Sequence, residues 1–184
     1  MSCPNGNTTP TSSGGHYIDC GDGTLIDSTT GLMWEQAQTC GTPDGLDFNN
    51  PRCDQNFYAW SGLSFNFIVG NKYVNDGALF TDFLARLNGQ LSPDGNTTCF
   101  ANHCDWRIPT IGELRTILLA QYPNCTSSPC LDPAFGPTAA TYFWSSTTSS
   151  PDQSVGWLVS FDNGALFSDF KNFGNKARAV RGGT

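Results

Sequence analysis

The apolar residues of the N-terminal third occur in short groups that are separated by turns. Residues 24–27 and 32–34 flank a Thr-Thr-Gly turn, which predicts a β-hairpin. Residues 39–56 are rich in Gly, Pro, Asp and Asn and predict a long loop. Residues 1–15 are small and polar, so they predict a flexible leader that is tied down only if Cys3 is bridged.

Apolar residues at helical spacing predict two helices in the middle of the chain. Residues 77–88 form one apolar face, made of Leu79, Phe80, Phe83, Leu84 and Leu87. The second helix begins after Pro109, because Thr110 is a suitable N-cap and Glu113 completes a capping box three residues later. Its buried stripe is Ile111, Leu114, Ile117 and Leu118.

The C-terminal third has the pattern of strands and turns. Trp157, Val159 and Phe161 alternate with residues 158, 160 and 162, which predicts a half-buried strand with the first set facing the core. Residues 162–164, Asp-Asn-Gly, predict a turn, so a second strand should begin near Ala165. Residues 177–181 predict a last strand. This order of elements predicts an α+β fold, with one domain over residues 16–184.

Composition narrows the classes of partner. The chain has 184 residues and a net charge of −7, with a pI near 4.5. A nucleic-acid backbone or an anionic membrane surface requires clustered Lys and Arg, so neither is expected as a partner. No stretch is long and apolar enough to cross a bilayer, and we expect no membrane insertion.

Cysteine content points to an oxidising, extracellular setting. Eight cysteines occur without a Cys-x-x-Cys pair, which favours disulfides over zinc or thioredoxin-like chemistry. The pairs Cys99/Cys104 and Cys125/Cys130 are close enough to staple their own loops, and Cys3/Cys20 with Cys40/Cys53 would complete a sequential set. Eight cysteines allow 105 connectivities, so the pairing stays open. The polar start at Met1 indicates either a removed export signal or release inside a particle such as a virion.

Catalytic and metal-binding patterns are weak. No Gly-x-Ser-x-Gly elbow occurs and no histidine follows His103, so we expect no enzyme activity, no cofactor and no metal. Cys99, His103 and Cys104 could contribute to a zinc site, but a disulfide beside a bystander histidine is favoured. Asp162 and Asp169 could bind calcium, but the motifs of calcium-dependent lectins are missing.

Five motifs in a fixed order carry a resemblance to a known family. They are Gly31-Leu32-Met33-Trp34, Asp105-Trp106-Arg107-Ile108-Pro109-Thr110-x-x-Glu113-Leu114, Phe143-Trp144-Ser145-Ser146-Thr147, Gly156-Trp157-x-Val159-x-Phe161-x-x-Gly164 and Arg178-Ala179-Val180-Arg181. Together they resemble the C-terminal domain of collagen-like surface adhesins, from about Leu25 to Arg181. The resemblance implies a C-type lectin-like fold, with two helices, short antiparallel strands and long disulfide-stapled loops. That fold is shared with the formylglycine-generating enzyme, but fold does not transmit activity.

The C-terminal motifs are also similar to those of variable proteins of diversity-generating retroelements. In such systems error-prone reverse transcription randomises adenine-containing codons, so Asn codons can become many residues but not Lys, Gln, Glu, Met or Trp. Residues 142–184 would then be a variable, ligand-binding region. The resemblance implies a scaffold of Trp106, Arg107, Trp144, Trp157, Val159, Phe161, Arg178 and Arg181. The candidate ligand-binding residues are Leu158, Ser160, Asp162, Asn163, Ala165, Phe167, Ser168, Asp169, Phe170, Asn172, Phe173 and Asn175.

The function expected from this resemblance is recognition of a protein or glycan ligand from a virion or cell surface. An invariant adhesin that binds polysaccharide or protein is the alternative within the same fold. An oxidase-like enzyme is a third hypothesis and would require a redox-active cysteine. Phe167, Phe170 and Phe173 are spaced by three, so they could instead be one face of a short helix packed on the core.

Overall fold

The computed structural model describes residues 1–11, 15–42, 45–62, 74–91, 98–150 and 152–183. Residues 12–14 of the predicted leader, residues 43–44 of the predicted loop, and Pro151 and Thr184 of the predicted variable region lie outside these ranges. The chain forms short antiparallel strands in three small sheets, with few helices between them. These features agree with the predicted α+β, C-type lectin-like fold. In the described residues, no helix has the length and apolar character needed to cross a membrane.

The first sheet joins the two ends of the chain. Its strands are β1 (Tyr17–Asp19), β2 (Thr24–Asp27), β3 (Met33–Glu35) and β9 (Val180–Arg181), in the order β1-β2-β3-β9. Ile26 lies opposite Met33, so the predicted hairpin is confirmed. Trp34 lies opposite Val180, which brings the last strand beside the first hairpin. This last strand is shorter than the predicted range 177–181.

The second sheet carries most of the C-terminal region. Its strands are β5 (Tyr142–Thr148), β6 (Val155–Ser160) and β7 (Leu166–Phe170), with β6 in the centre. Residues 161–165 turn between β6 and β7, where Asp162-Asn163-Gly164 predicted a turn. A third, two-stranded sheet pairs β4 (Tyr58–Ala59) with β8 (Gly174–Asn175).

Two helices lie where apolar spacing predicted them. The first, α1, has a wide π-helical part, Leu79–Leu84, followed by an α-helical turn, Ala85–Leu87. The second, α2, spans Ile111–Thr116 and begins with the predicted capping box between Thr110 and Glu113. The box satisfies main-chain N–H groups that a helix start otherwise leaves without partners.

The second sheet lies between two apolar clusters. Antiparallel partners share a face of the sheet, so Phe143 and Val159 lie on one face, where they pack with Leu114 of α2. Trp144 and Leu158 lie on the opposite face, where they pack with Trp60 and with side chains of α1. Both faces of β5 and β6 are therefore covered by core.

All eight cysteines are paired, and the sequential connectivity is the one that forms. The four disulfides are Cys3–Cys20, Cys40–Cys53, Cys99–Cys104 and Cys125–Cys130. Cys99 and Cys104 are thus bonded to each other and offer no thiolates to a metal. The leader is attached at Cys3, and the main-chain N–H of Thr11 donates to the carbonyl of Tyr17. Four disulfides are typical of proteins that fold in an oxidising, extracellular compartment.

A buried ion pair connects the C-terminal segment to β3. The Arg178 guanidinium is almost completely buried and donates to the carbonyls of Glu35 and Phe135 and to the hydroxyl of Thr138. Its Nη1 lies 3.9 Å from the Glu35 carboxylate. Burial raises the pKa of Glu35 above its ordinary value, and the nearby Arg178 and Arg52 oppose that rise. Arg178 therefore satisfies three oxygens and compensates a buried carboxylate.

We predict that Arg178→Met lowers the free energy of unfolding by about 3–5 kcal/mol, because Glu35 stays buried without its cation. The pKa of Glu35 would rise further in the variant. A carboxyl with a raised pKa in the folded state destabilises as the pH rises above its unfolded pKa, so the loss is larger at pH 8 than at pH 5. Urea unfolding at both pH values measures it.

The matched control is Arg181→Met, three positions along the chain. Arg181 pairs with Asp105, whose side chain is 59% exposed, so its replacement should cost no more than about 1 kcal/mol. Equal losses for the two variants, or a loss independent of pH for Arg178→Met, would contradict the role assigned to the buried pair.

Candidate ligand-binding face

Strand β7 is the exposed edge of the second sheet. Leu166 and Phe167 are each 42% exposed, and the next residue, Ser168, is also exposed. Across the same sheet, Val159 and Trp144 are fully buried. Exposure therefore rises sharply from the central strand to the edge strand, a distance of one strand spacing of about 5 Å.

Two of the predicted ligand-binding residues, Leu158 and Ser160, are buried. Leu158 is only 2% exposed and belongs to the apolar cluster around Trp60 and Trp144. Ser160 is 3% exposed, and its main-chain N–H donates to the carbonyl of Ala165 at 2.9 Å. The prediction assumed one covered face for β6. Both faces are covered, so alternate residues on this strand do not separate core from surface.

The remaining ten candidate residues lie in the turn, on β7 and in the segment that follows. Four of them are exposed, namely Asp162, Phe167, Ser168 and Phe173. The other six are partly exposed, namely Asn163, Ala165, Asp169, Phe170, Asn172 and Asn175. All ten residues lie between positions 162 and 175, a segment in which only Gly164 and Lys171 are buried.

The three phenylalanines do not form one helical face. Phe167 and Phe170 belong to a strand, where residues three apart point to opposite sides of the sheet. The ring of Phe167 packs edge-to-face on exposed Tyr142 at 4.7 Å between centroids, and Phe170 packs edge-to-face on exposed Phe173 at 6.1 Å. The helical alternative is therefore wrong, and the rings form two aromatic pairs instead of one row.

Polar side chains lie between and beside these rings. The Asn175 amide donates to the Asp169 carboxylate at 3.0 Å, which links β8 to β7. The Asp162 carboxylate accepts a hydrogen bond from the hydroxyl of Ser128 at 2.8 Å. The Asn163 side chain accepts from the main-chain N–H of Ala165, as is typical of an Asx turn. The face thus offers aromatic surface together with carboxylates and amides.

Buried groups beneath the face fix its geometry. The Trp144 indole Nε1 donates to the carbonyl of Tyr58 at 2.8 Å and so joins β5 to β4. Lys171, which follows β7, is buried, and its ammonium lies 4.3 Å from the centre of the Trp60 ring and donates to the hydroxyl of Thr148. Burial lowers the pKa of Lys171 below its ordinary value. The C-terminal end of β7 is therefore held from below by Lys171.

The turn before β7 docks on the end of α2 and the residues after it. Gly164 has φ +76°, and a Cβ there would lie 2.5 Å from the carbonyl oxygen of Ala120. Its carbonyl accepts from the main-chain N–H of Tyr122. A groove of about 530 Å³ opens at this junction. It is lined by Arg115, Gln121, Tyr122, Asn163, Gly164, Ala165, Leu166 and Phe167.

The scaffold arginines outside the face bind main-chain and carboxylate oxygens. Arg107 donates to both carboxylate oxygens of Glu113 and to the carbonyl of Gly182, which ties the start of α2 to the C-terminal segment. Arg181 donates to both oxygens of Asp105. Trp106 is buried and its indole donates to the carbonyl of Phe100. Trp157, predicted to face the core, is partly exposed.

Tyr142 and Lys171 lie within the predicted region 142–184, but sequence reasoning did not single out either residue. Tyr142 directly precedes the Phe-Trp-Ser-Ser-Thr motif, and that position next to a β-prone aromatic run was an available signal. Lys171 carried no such signal, because a lysine in a polar segment is ordinarily exposed. The described residues contain no group of three or more His, Cys, Asp or Glu side chains that could hold a metal ion.

Comparison with known proteins identifies a family. The family model described as the Lcl C-terminal domain matches residues 23–181. The match spans the five motifs that carried the resemblance, and it agrees with the family to which they pointed. A search of curated proteins finds no match.

We predict different costs for truncating the neighbours Leu158 and Phe167, which lie opposite each other on β6 and β7. Leu158→Ala removes a buried side chain and should cost about 2–5 kcal/mol of unfolding free energy. Phe167→Ala removes a half-exposed ring and should cost about 1 kcal/mol or less. Urea unfolding of both variants measures the difference, and similar costs would show that β7 is part of the core.

We also predict that Gly164→Ala is more destabilising than Gly31→Ala. Both glycines have positive φ, so each alanine should cost about 1–2 kcal/mol in backbone strain. Only Gly164 would also place its Cβ against main-chain atoms, whereas nothing lies within 4 Å of a Cβ at Gly31. The extra overlap should add about 1–3 kcal/mol. Thermal unfolding compares the two, and a smaller effect at position 164 would argue against rigid docking of this turn.

Proposed function

We propose that this chain, which belongs to the Lcl C-terminal domain family, is a ligand-binding protein that recognises its ligand with the face around β7. This face wraps around the β7 edge and includes side chains on both sides of the sheet. It comprises Tyr142, Leu166 and the ten retained candidate residues between 162 and 175. Membership in the family is consistent with a surface-binding or adhesin-like role. We expect the ligand to be a protein or a glycan on a cell surface.

The observation that carries this proposal is the contrast between β6 and β7. Leu158 and Val159 of β6 are buried, while Leu166 and Phe167 of the neighbouring β7 are each 42% exposed. Exposed aromatic rings among carboxylates and amides provide large contact area and adaptable hydrogen bonds, which recognition surfaces commonly use. A fixed core beneath such a surface limits the entropy lost on binding.

Diversification by a retroelement is the finer part of the proposal. Side chains at exposed edge positions can change with little effect on folding, because surface substitutions usually alter stability by less than about 0.5 kcal/mol. Residues 162–175 fit this requirement, since each is at least partly exposed apart from the buried Gly164 and Lys171. Leu158 and Ser160 do not fit it. We therefore expect the diversified positions to begin at Asp162, within the turn between β6 and β7.

The alternative is an invariant adhesin of the same family, with a single ligand for this face. The gene locus distinguishes the diversified protein from the invariant adhesin. A reverse transcriptase and a near-identical template repeat with adenines at the codons of residues 162–175 support diversification. A locus without both supports the invariant adhesin. We propose display on a virion or a cell surface in either case, and a binding rather than a catalytic role.

We predict that ligand binding depends on exposed rings of this face. The protein is tested on arrays of glycans and of cell-surface proteins, and hits are repeated with Phe167→Ala, Phe173→Ala and the double variant. Each single change should weaken binding roughly tenfold, or about 1.4 kcal/mol, as expected for the few anchoring residues that dominate an interface.

The control variant is Leu91→Ala, since Leu91 follows α1 and is also about 40% exposed. Its affinity should equal that of the unchanged protein. Hits that survive the double variant at full affinity would place the binding site elsewhere and overturn the proposal.

A further inference from the structure

Strand β7 is the one edge of the two larger sheets that the described chain leaves uncovered. The edge at β1 is covered by the leader, where Thr11 N–H donates to the carbonyl of Tyr17. The edge at β9 is covered by Arg107, which exchanges two main-chain hydrogen bonds of 2.9 Å with Val180. The edge at β5 is covered by Lys176, which accepts from Trp144 N–H and donates to the Tyr142 carbonyl.

The hydrogen-bonding groups of β7 show which main-chain atoms are available. Ser160 N–H donates to Ala165 and Lys171 N–H donates to Ser154, so odd-numbered residues of this strand face β6. Leu166, Ser168 and Phe170 therefore direct their N–H and C=O groups outward. Phe170 N–H donates to the Asp169 carboxylate, and its carbonyl accepts from Phe173. Among the described residues, none pairs with the outward groups of Leu166 and Ser168.

The outward N–H and C=O groups of Leu166 and Ser168, four in all, indicate which class of ligand can bind them. Two donors and two acceptors repeat along the edge at about 6.8 Å, which is the two-residue repeat of an extended polypeptide. An added strand satisfies all of them at once. Saccharide hydroxyls can bond to single groups but do not repeat as paired N–H and C=O at this spacing.

The edge also lacks the features that prevent strand addition. Leu166–Phe170 contains no proline and no lysine, and its pairing with β6 runs without a bulge. Its one charged side chain, Asp169, is engaged with Asn175 and with the N–H of Phe170. Exposed Leu166 borders the groove that contains Arg115 and Tyr122, so a side chain of an added strand has a cavity beside it.

We propose that the ligand of this face is a polypeptide that binds in extended form, by adding a strand to β7 through Leu166 and Ser168. This inference rests on the proposed function, because it names the partner class of the same face. In this arrangement the main-chain hydrogen bonds provide affinity, and they are the same whatever side chains occupy the exposed positions. Those side chains determine which peptide sequence is bound.

The test uses the full chain and a displayed library of random linear twelve-residue peptides. Hydrogen exchange is measured by NMR for the ¹⁵N-labelled protein with and without a selected synthetic peptide. The amides of Leu166 and Ser168 should exchange at least tenfold more slowly in the complex, while the already bonded amide of Phe167 changes less. Peptides that bind without this protection would overturn the strand-addition proposal.

Variants at Ser168 supply the second readout. Ser168→Pro removes an N–H that points to solvent, a position where an edge strand tolerates proline, so the fold should be retained by circular dichroism and melting temperature. It should weaken peptide binding by roughly tenfold, because one hydrogen bond to the added strand is lost and the proline ring obstructs the approach of that strand. Ser168→Ala keeps the N–H and should bind within about threefold of the unchanged protein. Equal binding by both variants would overturn the proposal.

The outcomes separate this inference from the proposed function. Binding of glycans or peptides that depends on Phe167 but is unaffected by Ser168→Pro rejects strand addition and leaves the face in place. Binding that depends on neither residue rejects both. A dimer in sedimentation that Ser168→Pro dissociates would show that a second copy of the chain occupies the edge, and that too would overturn the polypeptide-ligand proposal.

Discussion

The insertion of the β5–β6–β7 sheet between two apolar clusters is the constraint on which the rest of the structure depends. One face of the sheet packs on the cluster around α2, and the other packs on Trp60 and α1. Because both clusters reach β6 but stop short of β7, a single sheet passes from full burial to half exposure within one strand. The central strand is thereby fixed by packing, and the edge strand is held by its hydrogen bonds to that fixed neighbour.

Polar groups buried around this sheet connect it to other parts of the chain. Trp144 bonds to β4, Arg178 binds oxygens of β3 and of the segment near Phe135, and Lys171 lies under the end of β7. Buried polar groups are costly without partners, so each of these contacts specifies one arrangement. The outcome is a rigid base beneath an open edge, which is the physical requirement for a surface whose side chains can differ without refolding the domain.

Local signals in the sequence predicted much of this fold. The hairpin, the capping box at Thr110 and the apolar face of α1 depend on neighbours within a few residues, and the motif order pointed to the family. The candidate site was predicted less well. Leu158 and Ser160 were assigned to the surface because alternation shows that a strand has two faces, but not how many of them become covered. Trp60, almost a hundred residues earlier, covers the second face, and no local pattern reports that contact. The burial of Lys171 depends on the same ring.

We expect folding to constrain the side chains of β6 and to leave those of β7 free to vary. Saturation mutagenesis of residues 155–175 measures this difference, with resistance to proteolysis on a display surface as the measure of folding. Leu158, Val159 and Phe161 should accept few substitutions, while Phe167, Ser168 and Phe173 should accept most. Equal intolerance at the two sets of positions would contradict this expectation, since β7 would then belong to the core and could not serve as a variable recognition surface.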